Sequence, residues 1–212
     1  MIDLYTWTTP NGRKASIMLE ELGVPYTVHE VNIGKDEQFA ADFLAVSPNN
    51  KIPAIVDCDT GLSLMESGAI LLYLAETHGR LLEDGGEKWR VIEWLMWQMG
   101  GLGPMVGQAH HFLFNNPGKA PYAEERYRKE TRRLYEVMNT RLGGRDYLAG
   151  IGRGSYSIAD IASWPWVSRF ERHQVDLADF PAVRDWYLRI AERPAVQRGY
   201  DVPSRGEAVP MP

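Results

Sequence analysis

Two short stretches of this chain carry groups suited to gripping a small peptide. Asn49-Asn50-Lys51-Ile52-Pro53-Ala54-Ile55-Val56 reads as a Pro-led strand, and Ser63-Leu64-Met65-Glu66-Ser67-Gly68-Ala69-Ile70 as a return strand whose Glu-Ser turn opens a helix. A helix starting at Ser67 presents backbone N–H groups and a hydroxyl to a carboxylate, and Glu66 beside them can hold an ammonium. Ile52 offers a main-chain N–H and C=O that can pair antiparallel with an extended ligand. A plainer reading also stands, with Ser67 as an N-cap and Glu66 as a first-turn carboxylate.

A third stretch, Thr8-Thr9-Pro10-Asn11-Gly12, joins a strand-like run to a helix-like one. There a hydroxyl, an amide NH2 and the positive end of a helix can converge on an anion, although the same residues suit an ordinary turn and helix start. Cys58 is the only cysteine, which excludes an intramolecular disulfide, a Cys-rich zinc site and a two-cysteine redox cycle. Thiol chemistry would need a thiol brought from elsewhere. Cys58 itself falls in a turn and is given no catalytic role, and Tyr5 alternates away from Leu4 and Thr6 and is expected to pack. His110 and His111, being adjacent, diverge by about 100° on a helix and cannot share a metal. No metal is expected.

The elements that must position these groups follow from periodicity. A strand over 2–7, a helix over 13–22 and a strand over 26–31 form a β-α-β crossover and imply a parallel pair. A short helix over 38–44, strands over 52–56 and 62–65, and an apolar helix over 67–76 complete a βαβ-α-ββα order. That order describes a thioredoxin-like domain over 1–78, followed by a Gly-rich linker over 79–87 and an all-helical domain over 88–212 with an extended C-terminal tail. Helices are expected over 89–98, on through Phe114, and over 122–142, 158–172 and 182–192. Ser157-Ile158-Ala159-Asp160 fits a capping box, so Asp160 is expected to serve folding. Trp89, Trp94, Trp97, Trp164, Trp166 and Trp186 are expected to pack in the core and between domains.

The chain has 212 residues, 44% of them hydrophobic, enough for a sizeable core. A net charge of -5 with interspersed signs gives no footprint for nucleic acid or an anionic membrane, and no apolar run reaches membrane-spanning length. With no leader-like segment before Ile2, a cytoplasmic protein with a small-molecule ligand is expected.

Together these residues resemble the cytosolic glutathione transferase superfamily over almost the whole chain. Thr9-Pro10-Asn11-Gly12, Ser47-Pro48-Asn49-Asn50-Lys51-Ile52-Pro53-Ala54-Ile55, Gly100-Gly101-Leu102-Gly103-Pro104-Met105 and Tyr156-Ser157-Ile158-Ala159-Asp160-Ile161-Ala162 are similar to the bacterial Nu-class, whose members act mainly on disulfides of glutathione. The resemblance implies a cis Ile52-Pro53 bond, glutathione as bound co-substrate in reduced or disulfide form, and a two-fold homodimer. It implies Thr9 and Asn11 as donors to the reacting sulfur, with Ile52, Pro53, Glu66 and Ser67 holding the tripeptide. Gln38 and Lys51 are implied at the glycyl end or at a second glutathione, and Arg126 is implied as a contact from the helical domain. Gln38 also suits a helix start. Arg126 also suits a solvated charged face, where Arg132 or Arg133 could take its part.

The activity so implied is thiol-disulfide exchange, in which one glutathione thiolate attacks a disulfide and a second resolves the mixed species. Peroxide reduction and conjugation to electrophiles are neighbouring uses of the same thiolate. The alternative is a non-catalytic interaction or regulatory module on the same fold.

Overall fold

The computed structural model describes residues 1–212. Its contacts group into two units, Met1–Arg80 with Glu192–Val209, and Leu81–Ala191 with Pro210–Pro212. The first unit runs β1 (Ile2–Thr6), α1 (Pro10–Leu22), β2 (Tyr26–Glu30), α2 (Ala41–Val46), β3 (Ala54–Asp57), β4 (Leu62–Met65) and α3 (Ser67–His78). The strands lie in the order β2-β1-β3-β4. β1 and β2 are parallel, as a crossover through one helix requires, and β3 is antiparallel to both β1 and β4. Leu4 and Ile55 of the sheet, Ile17, Met18 and Leu19 of α1, and Ile70, Leu71 and Leu74 of α3 are buried. This is the thioredoxin-like layer that the element order predicts.

Boundaries differ where local geometry intervenes. Gln38 sits in a 3-10 turn (Glu37–Phe39), and the helix expected over 38–44 begins only at Ala41, because Ala40 is extended at φ -63, ψ 140. The third strand starts at Ala54, so Ile52 and Pro53 precede it outside the ladder.

The C-terminal segment departs furthest from expectation. In place of an extended tail, residues 194–200 form α9 (Pro194–Tyr200), packed on α1 as part of the first unit. Gly199 permits this contact, since a Cβ there would lie 2.6 Å from Ile17 Cα. The fully buried Arg13 donates through Nε to Tyr200 O at 2.8 Å, lies over the Tyr200 ring and pairs with Glu207. Ser16 Oγ donates to Gly199 O at 2.6 Å, and Arg193 and Arg198 pair with Glu21 and Glu20. Asp201 closes the following loop by accepting from the backbone N–H groups of Arg205, Gly206 and Glu207. Those bonds hold its carboxyl down at about 2. Pro194 stands at the first turn of α9, where its missing N–H costs nothing.

The second unit contains α4 (Gly85–Trp97), α5 (Gly103–Ala109), α6 (Pro121–Leu142), α7 (Ile158–Val167) and α8 (Pro181–Ala191), with π-helical turns at Gln98–Leu102 and His110–Asn115. It is the all-helical domain that the periodicity indicates. Gly103 and Gly107 let Trp166 of α7 approach α5, because Cβ atoms there would fall 3.0 and 3.1 Å from its indole. Trp164 and Trp186 are fully buried, but Trp89 is 68% exposed and packs in no core, contrary to expectation.

Asp160 links more of this unit than its capping box predicts. Its carboxylate accepts from Ser157 N and Oγ, from Leu148 N and from Trp186 Nε1, all at 2.9 to 3.2 Å. Burial pushes its pKa up to about 6 against the pull of those four donors. In the same unit, His173 is buried with its Nδ1 3.4 Å from the Tyr135 hydroxyl, and its ring centroid is 6.1 Å from that of His110. Burial, with Arg169 and Arg172 close by, pushes His173 down to about 3 and His110 down to about 4.

Two outcomes follow for stability. Asp160→Ala strands several buried donors and is expected to cost about 3 kcal/mol or more in chemical denaturation, against about 1 for Ser157→Ala; equal costs would reduce Asp160 to a simple cap. Both histidines stay neutral in the fold while unfolded histidine protonates near about pH 6.5. Stability is therefore complete above that pH and falls as the pH drops from there towards the folded values. Melting temperatures should decline across this window, and His173→Gln should flatten the decline.

Candidate active site

The register of the sheet gathers the candidate residues. Tyr5 of β1 lies opposite Ala54 of β3, and Ala54 lies opposite Met65 of β4. Because β3 runs against both neighbours, its N-terminal end meets the C-terminal ends of β1 and β4. The three segments that continue from those ends are the Trp7-to-Asn11 loop, Ile52-Pro53 and Glu66-Ser67. β2, parallel to β1, also ends there, and the chain leaving it leads to Gln38.

In the first segment Thr9 is the N-cap of α1, and its Oγ1 accepts from Gly12 N at 3.1 Å. That cap uses a lone pair and leaves the hydroxyl proton to donate. Pro10 and Asn11 form the first turn, so the Asn11 amide stands at the positive end of α1. The turn is tight enough to demand glycine at position 12, where a Cβ would fall 2.3 Å from Trp7 O.

In the second segment Ser47 Oγ donates to Lys51 O at 2.8 Å, and Asn50 takes the left-handed conformation at φ 50, which Asn tolerates better than most residues. Lys51 is exposed. The Ile52-Pro53 bond is cis, as the resemblance implies. Ile52's side chain packs on the cluster of Val31, Phe43 and Ala54 together with Tyr5. Tyr5 stacks on His29 with ring centroids 4.6 Å apart, a packing role that agrees with its expected one.

The third segment corrects the plainer reading of its motif. Glu66, not Ser67, is the N-cap of α3, and it makes no side-chain cap bond. Ser67 is the first helical residue and is buried. Glu66 has φ 69 and ψ 112, a backbone state that non-glycine residues rarely adopt and that costs on the order of 1–3 kcal/mol. The exposed Glu66 carboxylate therefore does no capping work at this helix end.

Gln38 supplies a further signal: its Nε2 donates to Asp36 at 3.4 Å while its Oε1 is buried without a partner. Arg126 belongs to the second unit, exposed on α6 and lining a cleft of about 530 Å3 with Met105, Tyr122, Tyr127 and Arg133.

The sequence reading missed Lys14. Its side chain is 1% exposed and its Nζ lies 3.4 Å from Ser67 Oγ. A charged pair, Arg13-Lys14, inside the apolar face of a short helix was the available signal.

The chain is similar to known proteins over most of its length. Residues 4–86 match the family model for the glutathione S-transferase N-terminal domain, and residues 102–194 match that for its C-terminal domain. The chain is 54% identical over 201 residues to the disulfide-bond oxidoreductase YfcG of Escherichia coli K12, covering 92% of each chain. It is 37% identical to the disulfide-bond oxidoreductase YghU of the same organism, over 93% of this chain and 73% of that one. A glutathione transferase from Pseudomonas putida with one glutathione disulfide bound per subunit matches at TM-score 0.89 and 43% identity, covering 95% of this chain and 91% of that one. One from Burkholderia graminis with two glutathione molecules per subunit matches at 0.87 and 42%, covering 97% and 89%.

Thr9's cap is testable without any ligand. Thr9→Val should lower stability by about 1 kcal/mol through loss of the acceptor for Gly12 N–H, while Thr9→Ser should not. Urea midpoints for the two variants that coincide would remove the cap.

Proposed function

Because this chain belongs to the glutathione S-transferase family, we propose that it is a glutathione-dependent oxidoreductase that reduces disulfides by thiol-disulfide exchange. The observation that carries this reading is the sheet register, which brings a helix-end donor loop, an unpaired strand approach and an uncapped helix end to one edge. The names of its relatives support the reaction class: YfcG and YghU are both disulfide-bond oxidoreductases.

The residues present fit the tripeptide. Its glutamyl α-carboxylate matches the first turn of α3 and Ser67, its ammonium matches Glu66, and its cysteinyl amide matches Ile52. Gln38's buried, unpartnered Oε1 and the exposed Lys51 are the candidates for the glycyl end, with Arg126 as a further cation. Bound glutathione supplies the reacting thiol, which this chain's lone cysteine does not replace.

An ordinary thiol titrates near about 8.5, so the protein must favour the anion. The Thr9 hydroxyl and Asn11 amide donate to it, and the positive end of α1 adds to their effect. Each unit of lowering requires about 1.4 kcal/mol of preference for the thiolate, within reach of two hydrogen bonds and a helix end. No protein base is needed. A two-fold homodimer, Nu-class membership and a cytoplasmic location belong to the same reading by resemblance.

Glutathione-dependent reduction of a small mixed disulfide should require the protein. Asn11→Ala should lower the rate by about a hundredfold while glutathione binding, read by calorimetry, stays within a few-fold. Rates untouched by both Asn11→Ala and Thr9→Ala would overturn the donor assignment, and no binding of either redox form of glutathione would overturn the function.

A further inference from the structure

Lys14 is one of the most deeply enclosed cations of the first unit. It reaches from α1 to the first residue of α3, with Nζ 3.4 Å from Ser67 Oγ and both side chains buried. A lysine ammonium has three donors and no acceptor, so Ser67's oxygen takes the accepting role on this side. The Ser67 hydroxyl proton then serves an acceptor other than Lys14.

We propose that Lys14 is a positioning residue for the glutamyl end of the ligand: it polarises and orients the Ser67 hydroxyl as a donor to the α-carboxylate. This inference rests on the glutathione reading above.

The electrostatics point the same way. A buried ammonium beside the N-terminus of α3 sets a positive charge next to the positive end of a helix, an arrangement that is unfavourable by itself and is relieved by an anion. Burial draws the Lys14 ammonium down to about 7, and the carboxylate of Glu66 pulls in the opposite direction. Glu66 is exposed and held in its strained backbone state, so it can turn to a ligand's ammonium while Lys14 and Ser67 serve the carboxylate. Together they form a charge pattern for a zwitterion: an anionic group outside, a cation and a donor beneath. An α-amino acid head group has that complementary pattern, and a plain carboxylate or amine has only half of it.

The test compares glutathione with 4-aminobutanoyl-cysteinylglycine, which lacks the α-carboxylate, by calorimetry on the full-length protein. Lys14→Met should weaken glutathione at least about tenfold, Lys14→Arg should stay within about threefold, and neither should change the affinity for the truncated probe. With saturating glutathione, kcat of Lys14→Met should stay within about threefold of the parent, so the loss falls on KM. Ser67→Ala approaches the link from the other side with Lys14 in place, and should weaken glutathione and spare the probe. In the Ser67→Ala background, Lys14→Met should cost less than it does alone.

Equal loss of both ligands in Lys14→Met or in Ser67→Ala would mark a general packing defect and overturn the proposal. So would undiminished glutathione affinity in either variant. Failure of the parent protein to bind glutathione at all would instead overturn the functional reading, and the two failures are told apart by the parent's own titration.

Discussion

The site depends on one constraint, the antiparallel pairing of β3 with strands on both sides. A strand has two ends, and reversing direction on both flanks puts the start of β3 beside the finish of β1 and of β4. Three loops distant in sequence are delivered to one edge without any of them having to search for the others. A one-residue slip in either pairing would turn Ala54 and Ile55 to the wrong faces. The buried side chains that hold the layer therefore also hold the site.

Two helix ends of different construction stand on that edge. α1 is conventionally closed, with Thr9 capping Gly12 and proline in its first turn. α3 is open, its N-cap occupied by a strained Glu66 that caps nothing. Strain of this kind persists only where surrounding structure over-determines it, here the β4 ladder before Glu66 and the apolar helix after it. The closed end is held by its own side-chain cap, and the open end has none.

Much of this was legible in the chain itself. Alternation and turn chemistry are local, so the element order and the three motif segments could be read from spacing, and the single cysteine was decisive by count. The sheet edge could be inferred once the strands were oriented. What escaped reading was set by contacts distant in sequence. Residues 194–200 look unremarkable because the face they bury is completed by Arg13 and Ser16, nearly the whole chain away. Lys14 lies within the apolar face of its own helix, but its partner Ser67 is supplied by α3. The positive φ of Glu66 has no sequence mark, since residues that adopt it by preference are glycine and asparagine. Asp160 was recognised as a cap, but its bonds to Leu148 and Trp186 belong to the packed helices and not to its own turn.

The return of residues 192–209 to the first unit bears on how the protein is made. Translation produces α1 well before residues 192–209, so Arg13 gains the Tyr200 carbonyl and Glu207 only after the helical unit has been made. The amino-terminal half is thus not a finished folding unit when its own strands and helices have left the exit tunnel. Until then the Arg13 face of α1 lacks its cover.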